Sequence, residues 1–153
     1  KIKENSEKNL YKDFPQDKLK FLYPTETQEE YFECFNYFDI LLDVYPYSGT
    51  TTTCNGLYMG IPSFSLYNTN FHHVSNVSGS LLLNMEREKL SDIDYKYFVS
   101  DSKEKLIKNI INFKFDFKNQ QKIRETIRKD FFNLMNPERF MKEYEEKLLQ
   151  LVN

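Results

Sequence analysis

The sequence predicts an α/β fold built on a parallel sheet, and three observations support the prediction. Residues 38–44 form a nearly continuous apolar run, as in a parallel strand covered on both faces. The next segment ends at Gly60 with Pro62 just beyond it, which is typical of a helix end. Another short strand follows at 63–67, and a strand and a helix precede residue 38. This βαβαβ order implies parallel strands joined by right-handed crossovers.

Length and composition limit the classes of protein to consider. At 153 residues the chain has the length of one domain, and we expect 1–153 to form one, with residues 119–152 as closing C-terminal helices. The net charge of −2, with lysines and acids interspersed, argues against nucleic acid or an anionic membrane as partner. No apolar run approaches transmembrane length and no signal peptide is visible. The chain begins at Lys1 in a polar segment, so we expect it to be a piece of a longer protein.

The N-terminal part shows weaker patterns. Residues 1–14 are polar with a weak helical stripe of Leu10, Tyr11 and Phe14, which Pro15 interrupts. Residues 19–23 predict a short strand that Pro24 ends. Thr27 and Glu30 form a capping box, so a helix should begin near Gln28. Its aromatic residues Tyr31, Phe32, Phe35 and Phe38 should face the core.

The C-terminal half is mainly helical by pattern. Residues 67–73 predict a loop at the carboxyl end of a strand, and 74–84 a helix whose small residues face a close neighbour: Ser75, Ser78, Gly79 and Ser80. A short strand is expected at 97–99. Asp101 with Glu104 predicts a helix start, and the following apolar stripe is Leu106, Ile107, Ile110 and Ile111. Ile123, Ile127 and Phe131 give the next helix a core face, and Asn136, Pro137 and Glu138 open the last helix, which carries Phe140, Tyr144 and Leu148.

A run of hydroxyl residues marks the candidate site. Thr50 to Thr53 lie between the apolar strand and the following helix. A helix start presents free N–H groups and the positive end of the helix dipole, which suits a phosphate. Threonine hydroxyls can add donors, and Gly49 leaves room for a ligand to approach the backbone. The alternative, which the pattern leaves open, is that the turn is only an N-cap.

Other chemistry has less support. Asp92 and Asp94 have the spacing of a metal-binding D-x-D motif, but they lie in a polar stretch where a solvated loop is favoured, so no metal site is predicted. His72 and His73 are adjacent and would point opposite ways on an extended segment, so they cannot easily share a metal. A single histidine of this pair is expected to line the ligand cleft. Cys34 and Cys54 fit buried reduced thiols. No nucleophile elbow, G-x-G-x-x-G or Walker A motif is present.

Three motifs resemble one known family. The string D-V-Y-P-Y-S-G-T-T-T-T-C-N-G-L-Y-M-G-I-P, from Asp43 to Pro62, is similar to the signature of the SPINDLY and O-GlcNAc transferase family. The segment H-V-S-N-V from His73, followed by S-L-L at residues 80–82, resembles the family's next motif. Asn136 to Phe140 resembles its closing helix. The resemblance covers roughly 15–151.

The resemblance implies the Rossmann-like, three-layer α/β/α C-terminal lobe of a GT-B glycosyltransferase. It implies an inverting, metal-independent transfer of a sugar from UDP-GlcNAc or GDP-fucose to Ser or Thr of acceptor proteins, with no cofactor beyond the donor. The catalytic base is expected in an N-terminal lobe, which is absent from this chain, as are the family's TPR repeats. The family implies a cytoplasmic or nucleocytoplasmic location. This chain alone is expected to be inactive.

The family's binding residues can be carried over by position. Gly49, Thr50, Thr51 and Thr52 match the diphosphate-binding element, and Asn55 stands where the family has a ribose-binding acid. Thr50 favours the SPINDLY branch over animal O-GlcNAc transferases, which have His there. Further residues are expected to line the cleft: Gln28 and Tyr31, which replace a Lys and a His of the animal enzymes, and His73 and Asn76. Two alternatives remain open: an inactive nucleotide-binding or scaffolding module, and a purely structural Rossmann-like domain.

Overall fold

The computed structural model describes residues 15–18, 20–22, 24–114 and 117–152. Within this part of the chain the regular elements are α1 (Gln28–Cys34), β1 (Leu41–Leu42), α2 (Thr51–Tyr58), β2 (Ser63–Leu66), α3 (Val77–Glu88), β3 (Val99–Ser100), α4 (Lys103–Asn112), α5 (Gln120–Leu134) and α6 (Pro137–Val152). Backbone contacts divide the chain into two compact units, Lys1–Cys34 and Phe35–Asn153. The expectation of one domain over 1–153 stays a prediction.

In the first unit, the predicted capping box is confirmed. The Thr27 hydroxyl accepts the Glu30 N–H at 3.2 Å, and the Glu30 carboxylate accepts the Thr27 N–H at 3.3 Å, at the start of α1. The strand predicted at 19–23 is wrong at residues 20–22, which belong to neither helix nor strand. An apolar run becomes a strand only beside a pairing partner, and the described ladder joins β1, β2 and β3 alone. Leu19, Tyr23 and the stripe of residues 10–14 lie outside the described residues.

The second unit contains a parallel sheet with strand order β1-β2-β3. Leu41 pairs with Ser63, and Ser65 pairs with Val99. The strand predicted at 97–99 is correct only at Val99, because residues 97 and 98 belong to a 3-10 turn, Tyr95–Phe98, and β3 is Val99–Ser100. Because all strands run the same way, their carboxyl ends meet at one edge, where open α/β sheets bind ligands.

Strand β1 is shorter and less covered than predicted. The expected strand spans 38–44, but only Leu41 and Leu42 pair in the sheet. Leu42 is 54% exposed and Val44 65%, so the run is not covered on both faces. The reason is position, since β1 is an edge strand, whereas the core helices pack around the central strand β2.

The core centres on Phe64 of β2. Its ring packs edge-on against Phe98 and Phe113, with centroids 5.1 and 5.3 Å away. Ile127 is fully buried and Phe131 is 7% exposed, which confirms the predicted face of α5. Helix α3 contributes Leu82 and Met85 to the same cluster.

Helices α4 and α6 differ from the sequence expectation in part. Ser102, not Asp101, caps α4 by accepting the Lys105 N–H, and Ile107 and Ile111 are exposed although the predicted stripe includes them. The apolar stripe of α4 is wider than the surface that neighbouring elements cover, so its outer residues stay exposed. At α6 the predicted cap is confirmed, because the Asn136 side chain accepts the Glu138 N–H at 3.0 Å. The apolar stripe of α6 is exposed at Phe140, Tyr144 and Leu148.

Two glycines set the packing around the site. Gly60 ends α2 with φ 76°, which confirms the predicted stop. A Cβ at Gly60 would lie 2.3 Å from the Arg124 carbonyl oxygen of α5. The predicted helix at 74–84 is instead a 3-10 turn, His73–Ser75, followed by α3. A Cβ at Gly79 would lie 2.7 Å from that of Tyr67, so the expected close approach is confirmed.

A buried carboxylate connects α5 to the segment before β3. Asp130 is 1% exposed and accepts hydrogen bonds from the Leu90 N–H at 2.8 Å, the Tyr95 hydroxyl at 2.7 Å and the Ser91 hydroxyl. Burial raises the pKa of the Tyr95 phenol, and the hydrogen bond to Asp130 and its charge raise it further. The folded chain therefore keeps Tyr95 neutral at pH values where the unfolded chain ionises it.

This pKa shift predicts a loss of stability at alkaline pH. Because the folded pKa lies above the unfolded value of about 10, the contribution of Tyr95 is complete below that pH and falls above it, by up to about 1.4 kcal/mol per pH unit. Denaturant unfolding at several pH values from about 8 to about 11 measures this slope. We expect Tyr95→Phe to flatten it, and equal slopes in the two proteins would contradict the assignment.

Strand β2 offers a matched pair of serines for a stability test. Ser63 and Ser65 are both buried on the same face, but Ser65 donates to Asp43 at 2.7 Å, whereas the Ser63 hydroxyl has no partner among the described residues. We expect Ser63→Ala to leave the free energy of unfolding unchanged or to raise it by up to about 1 kcal/mol, and Ser65→Ala to lower it by about 2 kcal/mol. Denaturant titration checks both, and a larger loss for Ser63→Ala would refute the prediction.

Candidate functional site: the threonine turn

The threonine turn, residues 48–53, follows β1 at the carboxyl edge of the sheet and includes the first turn of α2. The first hydrogen bond of α2 runs from the Cys54 N–H to the Thr50 carbonyl, at 3.0 Å. The amides of Thr51, Thr52 and Thr53 therefore precede the internal hydrogen bonding of the helix. Together with the helix dipole, these amides make the start of α2 attractive to an anion.

The threonine side chains do not act as a simple N-cap. Thr50 occupies the N-cap position with φ −92° and ψ −69°, and its side chain makes no capping hydrogen bond. Thr50, Thr51 and Thr52 are exposed, whereas Thr53 is buried. Residues 44–62 include no charged side chain, so the donors at this turn are neutral groups. The structure therefore contradicts the N-cap alternative at Thr50 and leaves exposed hydroxyls beside open amides.

A carboxylate just after β1 holds the turn in place. Asp43 Oδ1 accepts the Gly49 N–H at 2.7 Å, and Asp43 Oδ2 accepts the Ser48 and Ser65 hydroxyls, each at 2.7 Å. Asp43 is the first residue of the family signature but has no role assigned from the sequence, and Ser65 lies outside the motifs. The available signal is a serine, Ser65, inside an otherwise buried strand, which requires a polar partner.

The start of α3 meets the start of α2 at Ser78. Its hydroxyl lies 2.7 Å from the Thr53 hydroxyl and donates to the Gly49 carbonyl, and its N–H donates to the Ser48 hydroxyl at 2.9 Å. Ser48, Thr53 and Ser78 are all buried. Two helix N-termini therefore converge behind the turn, and their dipoles add to the positive potential there.

The roles expected of Gly49 and Asn55 stay predictions, to which the structure adds local detail. The Gly49 N–H is already bonded to Asp43, so a diphosphate-binding role for Gly49 depends on its missing side chain. Asn55 is half-buried on α2, four residues after Thr51. Positions four apart on a helix share a face, so Asn55 lies on the same side of α2 as Thr51. Its ribose-binding role stays a prediction.

The segment with His73 and Asn76 is fastened beside the turn. The Ser48 N–H donates to the Val74 carbonyl at 2.9 Å, and the Ser75 hydroxyl donates to the Pro46 carbonyl. His73, exposed, therefore lies on a segment bonded directly to the turn.

Asn76 has a structural task that the motif did not reveal. Its side-chain amide accepts the Asn68 N–H at 3.1 Å and donates to the Asn68 carbonyl at 2.9 Å, so it holds the loop after β2. Whether His73 and Asn76 also line a cleft stays a prediction. Gln28 and Tyr31 lie on α1 in the first unit, Gln28 exposed and Tyr31 half-buried, and their role stays a prediction too.

Other candidate chemistry can be placed as well. Within residues 15–18, 20–22, 24–114 and 117–152, no group of His, Cys, Asp and Glu side chains is arranged to hold a metal ion. Asp94 accepts the Lys96 N–H and Asp92 is exposed, as expected of a solvated loop. Cys34 and Cys54 are free thiols, and burial raises the pKa of Cys54. Among the described helices, none combines the length and apolar character needed to cross a bilayer.

The chain is similar in sequence to several SPINDLY proteins. A "probable UDP-N-acetylglucosamine--peptide N-acetylglucosaminyltransferase SPINDLY" of Solanum lycopersicum is 41% identical over 61 residues, which is 40% of this chain and 6% of that protein. Its counterpart in Arabidopsis thaliana is 43% identical over 53 residues, 35% of this chain and 6% of that protein. The chain thus spans a small fraction of these relatives. No protein-family model matches it.

The fold has a solved counterpart. A mutant O-GlcNAc transferase of Thermobaculum terrenum superposes with a TM-score of 0.68 and 24% sequence identity, covering 86% of this chain and 24% of that one. This likeness confirms the predicted fold class, the Rossmann-like α/β/α fold of a GT-B lobe. Together with the sequence matches, it confirms the resemblance to the SPINDLY and O-GlcNAc transferase family.

Proposed function

Because the chain resembles the SPINDLY and O-GlcNAc transferase family in sequence and fold, we propose that it is the nucleotide-sugar-binding lobe of a protein O-glycosyltransferase. The sugar, N-acetylglucosamine or fucose, passes from UDP-GlcNAc or GDP-fucose to a Ser or Thr hydroxyl of an acceptor protein, with inversion and without a metal. The observation that carries this proposal is the threonine turn, with exposed hydroxyls beside the open amides of α2. We place the reaction in the cytoplasm or nucleus.

The turn supplies what the leaving group of this reaction needs. As the bond to the sugar breaks, negative charge grows on the nucleoside diphosphate. Amides of α2 and the Thr51 and Thr52 hydroxyls can donate to that charge, and the dipoles of α2 and α3 reinforce them. Donors already fixed by folding need no reorganisation during the reaction. In this proposal they do the work that a divalent cation does in other sugar transferases.

The chain supplies only one side of the proposed cleft. Family members with a catalytic base in an N-terminal lobe would need that lobe for turnover, so we expect this chain alone to bind a nucleoside diphosphate weakly and to transfer no sugar. TPR repeats would recognise the acceptor protein. Asn55 would bond the ribose hydroxyls as an amide, with less strength than the charged carboxylate it replaces.

Asn55 also suggests a second candidate function. Asn55 in place of an acid favours an inactive nucleotide-binding or scaffolding module derived from these enzymes. Adding an N-terminal lobe and testing for sugar transfer separates the two functions. Transfer supports the enzyme, and nucleotide binding without transfer supports the module.

Calorimetric titration tests the binding function that both candidates share. UDP and GDP are titrated into the chain, with UMP and GMP as controls that lack the second phosphate. We expect one diphosphate to bind and its monophosphate to bind more weakly, because the turn holds phosphate groups. Absence of heat with both diphosphates would count against the site, and against either candidate function.

A further inference from the structure

We propose that Asp43 is the positioning residue of the threonine turn, and that it acts through hydrogen-bond geometry, not through its charge. This inference rests on the proposed function, because it assigns a task in diphosphate binding to a residue outside the threonine run. Asp43 directly follows β1 and is partly buried. Among the described residues it accepts hydrogen bonds from the turn and from β2, but none from the exposed threonine hydroxyls.

The carboxylate connects the turn to the central strand. One oxygen receives the Gly49 N–H, and the other receives hydroxyls from Ser48 in the turn and Ser65 in β2, all at 2.7 Å. A single side chain thus fastens the turn to the most buried strand of the sheet. Three hydrogen bonds from two separate segments converge on this side chain, so the turn is fixed relative to β2.

Gly49 is held from both sides by this network. Asp43 receives its N–H and Ser78 donates to its carbonyl, so the peptide groups on either side of Gly49 cannot rotate freely. Thr50 follows directly and is the N-cap residue of α2. The direction in which the next amides and hydroxyls point is therefore set before a ligand arrives. Such preorganisation lowers the entropy cost of binding.

An asparagine could replace the carboxylate in this network, whereas an alanine could not. An amide oxygen would accept the Gly49 N–H, and an amide NH2 would donate to the Ser48 and Ser65 hydroxyls. Those hydroxyls have other acceptors at hand: Ser48 Oγ lies 2.8 Å from Ser78 Oγ, and Ser65 Oγ lies 3.2 Å from the Leu66 carbonyl oxygen. The charge itself opposes a bound phosphate, so removing it costs nothing in electrostatic attraction.

Two variants of the chain separate positioning from charge. UDP and GDP are titrated calorimetrically into wild type, Asp43→Ala and Asp43→Asn, and amide hydrogen exchange is followed at residues 48–53. We expect Asp43→Ala to weaken diphosphate binding at least about tenfold, which corresponds to the loss of one hydrogen bond to a charged group. Amide exchange in the turn should also become faster. The diphosphate affinity of Asp43→Asn should stay within about threefold of wild type. In binding free energy, a threefold change is less than half of the loss expected for Asp43→Ala.

Tyr95→Phe is the control for a general loss of stability. It removes a buried hydrogen bond to Asp130 and none in the turn, so nucleotide affinity and turn exchange should match wild type. The inference would be overturned if Asp43→Ala had the diphosphate affinity and the amide exchange of wild type. It would also be overturned if Asp43→Asn lost as much affinity as Asp43→Ala. If wild type binds neither nucleotide, the proposed function fails, while faster exchange in Asp43→Ala alone would still support the positioning role.

Discussion

Replacing Thr51 and Thr52 together by alanine is expected to weaken binding of UDP or GDP by at least about 100-fold. Each hydroxyl that donates to a charged phosphate contributes about 1.5–3 kcal/mol, and 1.4 kcal/mol is tenfold in affinity. Both side chains are exposed at the first turn of α2, so the loss should fall on binding and not on folding. Calorimetry gives the affinity, and thermal unfolding should shift by no more than about 2 °C.

The matched control is Thr126→Ala on α5. Its hydroxyl donates to the Lys122 carbonyl at 2.7 Å, away from the turn, so nucleotide binding should be unaffected. A double variant that binds either diphosphate as tightly as wild type would remove the threonines from the site. In that event the diphosphate would bind elsewhere on the chain, whereas the purely structural Rossmann-like domain would be favoured if wild type bound neither diphosphate.

Gly60→Ala is expected to lower the free energy of unfolding by about 3 kcal/mol. The residue has φ 76°, which costs an alanine about 1–2 kcal/mol. Its new Cβ would lie 2.3 Å from the Arg124 carbonyl oxygen, and α5 must move to relieve that contact, at about 1–3 kcal/mol more. Thermal unfolding should begin about 10 °C lower for a chain of this size.

Gly49→Ala serves as the glycine control for stability. The φ of Gly49 is not positive, and a Cβ there would meet its nearest atoms, in Asp43 and Thr53, at 3.4 Å. We expect a change within about 1 kcal/mol in either direction. A melting temperature for Gly60→Ala equal to that of wild type would mean that α5 yields easily at Arg124.

Local signals predicted the ends of helices well. The capping box of Thr27 and Glu30, the stop at Gly60 and the cap at Asn136 are confirmed, because each involves residues within a few positions of one another. Choosing between adjacent capping residues failed. Asp101 and Ser102 both suit an N-cap, and only the path of the chain after β3 decides that Ser102 accepts the bond.

Burial was harder to predict, because it depends on which elements stack together. The apolar run around β1 resembles a central strand, yet the strand order places β1 at the edge and leaves Leu42 exposed. Ile107 and Ile111 fit a helical stripe, but no neighbour covers that part of α4 in the described residues. Apolar periodicity alone indicates the side of a helix that can be buried, not how wide the neighbouring surface is.

The candidate site was likewise predictable only where its residues are close together in the sequence. The threonines follow from a strand, a small-residue turn and a helix start, all within one short segment. The hydrogen bonds that hold the threonine turn in place could not be predicted in this way. The bond between Asp43 and Ser65 spans 22 positions, and the bond between Ser48 and Ser78 spans 30. Such contacts require the pairing of β1 with β2 and the docking of α3, which no motif states.

The neutral make-up of residues 44–62 has a consequence for the solution behaviour of the site. Mobile ions weaken attraction between full charges, with a screening length of about 10 Å at 0.1 M salt, but they act little on amide and hydroxyl donors in direct contact with a phosphate. Diphosphate affinity arising from this turn should therefore be nearly constant over a range of potassium chloride concentrations. A steep decline with added salt would instead indicate lysine or arginine side chains at the phosphates.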